Sequence, residues 1–276
     1  MPSSFYHGFD TLHVNWFTGC EPGLPCWARC WARAMANRLK GRYGYPADEP
    51  FRPTFHEEAF ARPLPKKPQV VALNFMGEWA LASTSEMTAI LNAVNLYEQH
   101  TFLTLTKRPQ MLMDLLGKLP KSGGLPDNLW LGLSASTQAE LDERLPALLR
   151  IPAAHYWLSL EPLLGPVDLG TALDDNAIED DGSLRPWIDW IVVGCESGRA
   201  ARWGIWQPAS MKVDQWQPWD VMKWTRTLVA QCHDAQVPVM GKQLPVFKDG
   251  KWVVSSTLAD FPPDLQVAER PQGQKE

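Results

Sequence analysis

No stretch of this 276-residue chain stays apolar for the roughly 20 residues that a membrane-spanning helix requires, so no bilayer span is expected. The start, Met1-Pro2-Ser3-Ser4-Phe5-Tyr6-His7, lacks the basic residues and apolar stretch of a secretion signal, and a reducing, cytoplasmic setting is expected. Cysteine is sparse and odd in number, five in all, which argues against a disulfide framework and leaves free or metal-bound thiols. Positive charge is short as well. With 26 Lys and Arg against 31 Asp and Glu, the net charge of -5 provides no global field to draw the chain onto nucleic acid. The 6 histidines show no His-x-x-x-His spacing, no nucleophile elbow is present, and no Gly-rich dinucleotide fingerprint follows the first expected strand.

What the chain does contain is an alternation of short apolar runs with helix-sized segments. Strands are expected at Leu12 to Phe17, Val70 to Phe75, Thr101 to Thr106, Leu129 to Ser134, His155 to Leu160, Trp187 to Gly194 and Val237 to Lys242. Most of these runs are apolar throughout, as suits strands buried on both faces of a parallel sheet. Helices are expected at Trp27 to Lys40, Ser83 to Glu98, Pro109 to Gly117, Gln138 to Arg150 and Trp219 to Ala235, with caps at Ser83 before Glu86 and Ser136 before Glu140. The expected fold class is therefore α/β, a partial TIM-like barrel of six or seven parallel strands with surrounding helices. Residues 1–260 read as a single domain, 41–67 as a Pro-rich and aromatic excursion suited to a lid, and 261–276 as a flexible tail. The acidic stretch Asp174 to Asp181 reads as a solvated loop.

In such a fold the site lies at the carboxyl ends of the strands, and those positions are strongly polar. They hold Met76-Gly77-Glu78, Lys107-Arg108, Ser134-Ala135-Ser136, Ser159 with Glu161, Cys195-Glu196-Ser197-Gly198-Arg199, and Lys242-Gln243. After the first strand come Cys20, Cys26 and Cys30. Gly and Pro force a loop between the first two thiols, while the last two are spaced i, i+4, as on one helical face. Three thiolates are one short of the four ligands of a closed zinc site or a fully protein-ligated four-iron cluster, and an open position leaves room for a substrate or cofactor. The rival is a structural zinc site completed by His7, His13 or Glu21 in a non-catalytic, partner-binding protein. The paired Cys-x-x-Cys knuckles usual in zinc fingers are absent.

Cys195 and Cys232 read as buried, inert thiols, although Cys195 sits on the expected rim. Glu78, Glu161 and Glu196 follow buried strands, where a functional role or an ion pair with Lys107, Arg199 or Lys242 are comparable readings. Of 14 Trp, several crowd one stretch (Trp203, Trp206, Trp216, Trp219), read first as packing and second as a stacking surface.

The residues quoted resemble a three-cysteine-motif family met mainly in phages and prophages, itself similar to the radical S-adenosylmethionine superfamily near its spore photoproduct lyase-like branch. Thr18-Gly19-Cys20 through Cys26 and Cys30-Trp31-Ala32 carry the likeness. So do Leu105-Thr106-Lys107-Arg108-Pro109, Trp130-Leu131-Gly132-Leu133-Ser134, Leu158-Ser159-Leu160-Glu161-Pro162-Leu163 and Val193-Gly194-Cys195-Glu196-Ser197-Gly198. The superfamily's usual run is Cys-x-x-x-Cys-x-x-Cys with an aromatic residue before the last cysteine; here both gaps are longer and Arg29 holds that place. The resemblance implies a 4Fe-4S cluster on Cys20, Cys26 and Cys30, with S-adenosylmethionine bound at the fourth iron and cleaved to a 5'-deoxyadenosyl radical. It further implies Gly77 and Glu78 at the methionine ammonium, Lys107 or Arg108 at the carboxylate, Ser134 and Ser136 at the ribose or carboxylate, and Gly194 with Glu196 at the adenine. Cys195 becomes a candidate radical hydrogen donor. The implied substrate is a nucleobase or hypermodified thymidine in phage DNA, in an isomerase or carbon–carbon bond-forming step. An electron donor such as flavodoxin or ferredoxin, and the host cytoplasm for phage-encoded members, are implied with it. A barrel that has kept the fold and lost the cofactor is the remaining alternative.

Overall fold

Strand propensity and helical periodicity divide the chain into elements that alternate almost throughout. The computed structural model describes residues 3–6, 9–120, 124–178, 184–196 and 218–271. Its strands are β1 (Ser3–Tyr6), β2 (Phe9–Val14), β3 (Phe17–Thr18), β4 (Thr54–Phe55), β5 (Val70–Leu73), β6 (Thr101–Thr106), β7 (Leu129–Ser134), β8 (His155–Leu160), β9 (Asp175–Ile178), β10 (Leu184–Pro186), β11 (Trp190–Gly194), β12 (Val239–Lys248) and β13 (Lys251–Ser255). Its helices are α1 (Trp31–Leu39), α2 (Glu57–Phe60), α3 (Thr84–Leu96), α4 (Pro109–Leu116), α5 (Gln138–Leu148) and α6 (Pro218–Asp234).

Nine strands form one sheet in the order β1-β2-β5-β6-β7-β8-β11-β12-β13. From β2 to β12 every pairing is parallel; β1 and β13 add antiparallel edges. The parallel strands follow chain order across the sheet, as expected when each crossover advances by one strand in the same direction. The mixed α/β class is thus as the sequence implies, in a mostly parallel sheet with helices.

Side chains alternate along each strand, so each strand feeds two cores. Phe102, Leu131, Leu158 and Ile191 share the larger core with Ile90 of α3, Leu112 of α4, Leu145 of α5 and Leu228 of α6. Leu103, Trp130, Trp157, Trp190 and Met240 form a second core on the opposite face, without helical members. Gly132 is the inward residue between them. A Cβ there would lie 2.4 Å from the Thr104 carbonyl oxygen and 2.5 Å from the Trp157 ring, so only glycine lets that indole cross the strand. Three tryptophans, Trp130, Trp157 and Trp190, therefore fill the amino-terminal part of this face.

Several boundaries differ from the sequence reading. The first run breaks into β2 and β3 because Asn15 turns to accept a hydrogen bond from the Met76 N–H at 3.1 Å. The predicted first helix is a 3-10 turn, Pro25–Arg29, followed by α1. Cys30 between them is extended (φ -63°, ψ 117°), so Cys26 and Cys30 do not share a helical face. The break lets Trp27 pack on Phe51, with ring centroids 5.7 Å apart, while Ala32 and Ala36 are buried. The capping box on α3 is present, with Ser83 and Glu86 each accepting from the other's backbone. On α5 the cap is Thr137, one residue past the expected Ser136, because the Thr137 hydroxyl is the group that reaches the Glu140 N–H.

The acidic stretch, expected as a loop, contributes β9, whose backbone pairs antiparallel with β10. The chain after Asp260 is not loose over its described part. Phe261 and Leu265 insert into the larger core, and Gly241 and Glu269 exchange backbone bonds with this segment and β12. No helix among the described residues is long and apolar enough to cross a membrane.

Candidate functional site

The cysteine loop is built by two close approaches of backbone. Gly19 (φ 91°) donates its N–H to the Met76 carbonyl at 3.1 Å, and its own carbonyl accepts from the Glu78 N–H at 2.9 Å. Cys20 donates its N–H to the Phe51 carbonyl at 3.0 Å. A Cβ on Gly19 would collide with Arg52 at 2.1 Å, and one on Gly77 would meet Thr18 and Gly19 at 2.7–2.8 Å. Glycine is thus demanded at 77 by the crossing of the cysteine loop. The 41–67 excursion, read from sequence as suited to a lid, packs beside that loop: β4 pairs with β3, and Tyr45 and Phe51 pack with Ala32, Ala36 and Met76.

Glu78 is the electrostatic centre of the adjoining turn. Its carboxylate accepts from the Thr106 hydroxyl at 2.7 Å, the Lys107 N–H at 2.8 Å and the Ala80 N–H at 3.3 Å. Burial pushes this carboxyl above its ordinary value; the three hydrogen bonds and Arg108 oppose that shift. The Arg108 N–H donates to the Thr106 hydroxyl oxygen at 2.9 Å, and its Nη2 donates to the carbonyls of Glu21 and Pro22, each at 3.1 Å. The sequence reading offered Arg108 as a carboxylate partner; the structure places its guanidinium on the cysteine loop.

A cavity of about 230 Å³ opens at the carboxyl ends of the parallel strands. Cys20, Cys26, Cys30, Gly77, Glu78, Lys107, Ser134, Ser136, Cys195 and Glu196 all border it. Of the residues expected at the site, Gly194 stands just behind the wall, where a Cβ would come within 2.7 Å of Glu161 Oε1. Polar residues from separate strands thus meet at one end of the sheet, where α/β folds bind their ligands.

Also lining the cavity are Ser159, Glu161, Lys242 and Gln243, named in the sequence as strand-end polar positions, and Glu140 of α5. Glu161 Oε2 accepts from Lys242 Nζ at 3.1 Å and from the Ser159 hydroxyl at 3.2 Å, and both members of this ion pair are largely buried. Gln243 Nε2 donates to the Cys195 carbonyl at 2.6 Å. Glu140 borders the cavity while pairing with buried Arg144 at 3.0 Å and accepting the Ser136 N–H at 2.8 Å. Alternation along each strand predicts inward placement for Ser134, Ser159 and Glu161; pairing of Glu161 specifically with Lys242 needed the fold.

All five cysteines are free thiols. Burial, and then the Glu78 charge, raise the Cys20 thiol to about 11, partly offset by Arg108. Burial, and then Glu161, push Cys195 far above the ordinary thiol range. Cys232 sits in the helix-side core and is raised by burial to about 12, the inert role expected of it. No group of three or more His, Cys, Asp or Glu among the described residues is arranged to hold a single metal ion. Neither His13 nor Glu21, offered as completing a zinc site, borders the cavity. His7, Arg199, Trp203, Trp206 and Trp216 lie outside the described residues.

Residues 9–270 match the model of a family described as a protein of unknown function (DUF5131). No curated protein matches. No solved structure matches.

Proposed function

We propose that this chain, which belongs to the DUF5131 family, is a radical S-adenosylmethionine enzyme built on a partial TIM-like barrel. The observation that carries the proposal is the shared cavity: Cys20, Cys26 and Cys30 line the same space as polar residues from the ends of β6, β7, β8, β11 and β12. A single zinc ion needs its ligands at ~2.0–2.3 Å around one point. A 4Fe-4S cluster asks less convergence, because each thiolate takes its own iron. The donor set fits that group, and three thiols leave one iron for the cofactor.

Cys20, Cys26 and Cys30 would hold the cluster, which together with S-adenosylmethionine would supply radical hydrogen-abstraction chemistry. The residues of this chain bind, orient and exclude water. Glu78 and Lys107 present a carboxylate and an ammonium at the cavity wall, complementary to the cofactor's ammonium and carboxylate. Ser134 and Ser136 offer hydroxyls to ribose or carboxylate, and Gly194 with Glu196 lies on the side assigned to adenine. Cys195 is held as a protonated thiol by its burial, the form from which a hydrogen atom is donated.

The substrate we propose is a nucleobase or hypermodified thymidine in phage DNA, with isomerisation or carbon–carbon bond formation as the outcome. At the described margin of the Trp-rich stretch the exposed Trp219, its ring 6.4 Å from that of half-buried Trp252, offers stacking surface for a base. A flavodoxin or ferredoxin in the cytoplasm would supply the electron. Reduced, reconstituted protein is incubated with S-adenosylmethionine and a panel of modified DNAs and nucleosides, and 5'-deoxyadenosine is measured. Formation above the substrate-free background on DNA supports the assignment; none across the panel removes nucleic acid as substrate.

A further inference from the structure

We infer that Arg108 is the positioning residue of the cysteine loop, an inference that rests on the loop holding the cluster. Residues 21–23 are exposed and fall between the β3–β4 pair and the 3-10 turn at Pro25, so no ladder fixes them. Among the described residues, the hydrogen bonds that tie Glu21 and Pro22 to the sheet come from Arg108 Nη2.

Arg108 is itself anchored. It caps α4 ahead of Pro109, and its N–H donates to Thr106 Oγ1, whose hydroxyl donates to Glu78 Oε1. The Glu78 N–H in turn donates to the Gly19 carbonyl. Cys20 is therefore bracketed, by Glu78 on its amino-terminal side and by Arg108 on its carboxy-terminal side, and both anchors belong to one bonded circuit across β5 and β6. Both bonds come from the single nitrogen Nη2, which spends one N–H on each carbonyl; a lysine ammonium has enough donors for this, but on a shorter, more flexible stem than the planar guanidinium. Without the bonds, the loop regains backbone freedom and the thiols meet less often.

The test uses the full-length apo protein and dibromobimane, which fluoresces on bridging two thiols, with the bridged cysteines mapped by peptide mass spectrometry. Iron per chain after anaerobic reconstitution is measured in parallel, and circular dichroism checks folding. In R108Q, bridging between Cys20 and Cys26 or Cys30 is expected to slow roughly tenfold, the ratio corresponding to one charge-assisted hydrogen bond, with iron loading falling alongside. R108K, which keeps the charge and most of the stem, is expected between R108Q and wild type, and it carries the test should R108Q not fold. Wild-type rates of bridging and loading in the folded variants would overturn the role of Arg108. A wild-type chain whose thiols bridge, with bridging lost in R108Q, yet which loads no iron, would remove the cluster and leave the loop-positioning role standing.

Discussion

Gly77 lies against Gly19 so closely that a Cβ on it would stand 2.8 Å from both the nitrogen and the oxygen of Gly19. The G77A variant is therefore expected to push the cysteine loop off the end of β5, at a cost of about 1–3 kcal/mol for overpacking. Urea unfolding and iron content measure the two effects together. Wild-type stability with wild-type iron would show that the loop tolerates displacement.

Inward-facing Gly132 makes room for Trp157 in the same way. G132A is expected to destabilise the fold by about 3 kcal/mol, at the upper end for an added methyl in a packed core. It should also red-shift tryptophan emission as the indole is displaced. An unchanged unfolding midpoint and spectrum would contradict the packing described.

The α/β class, four boundary-perfect or near-perfect strands and the α3 capping box were legible in the sequence because continuous apolar runs and local caps are short-range signals. The cavity membership of Ser134, Ser136 and Glu196 was legible for the same reason: each stands at the end of a buried strand. Three features were not. The break at Cys30 depends on Trp27 meeting Phe51 twenty-four residues on, the demand for glycine at 77 comes from the Thr18–Gly19 crossing, and the docking of Phe261 depends on space left by β12. Each is set by a contact between distant segments, which periodicity does not encode.

Glu161 and Lys242 form a largely buried pair on the cavity wall. Removing one partner strands the other charge, so K242M is expected to destabilise by ~3–5 kcal/mol. The double variant E161Q/K242M should recover part of that loss. Additive effects in a double-mutant cycle would show that the two side chains are not coupled.

The Cys20 thiol, raised by burial from the ordinary 9.0 to about 11, keeps its proton in the folded apo protein where an unfolded chain has begun to lose it. The folded state thus binds more protons, so this contribution to stability is full below pH 9.0 and lost as pH rises through about 11. Iodoacetamide labelling of Cys20, followed by peptide mapping, should show a midpoint near 11 in native protein and near 9.0 in urea. Equal midpoints would contradict the burial of this thiol.

Phe261 and Leu265 are almost fully buried. F261A is expected to cost about 3–5 kcal/mol by urea denaturation, as for a large core side chain cut to alanine. A loss within about 0.5 kcal/mol, the range of surface changes, would return this segment to the status of a loose tail.

The central claim is that Cys20, Cys26 and Cys30 hold a cluster with one iron open to S-adenosylmethionine. Protein purified without oxygen and reconstituted with iron and sulfide is reduced, and its electron paramagnetic resonance is recorded before and after S-adenosylmethionine is added. A reduced-cluster signal that shifts on adding the cofactor is the predicted result; tightly held zinc with no cluster signal would contradict it.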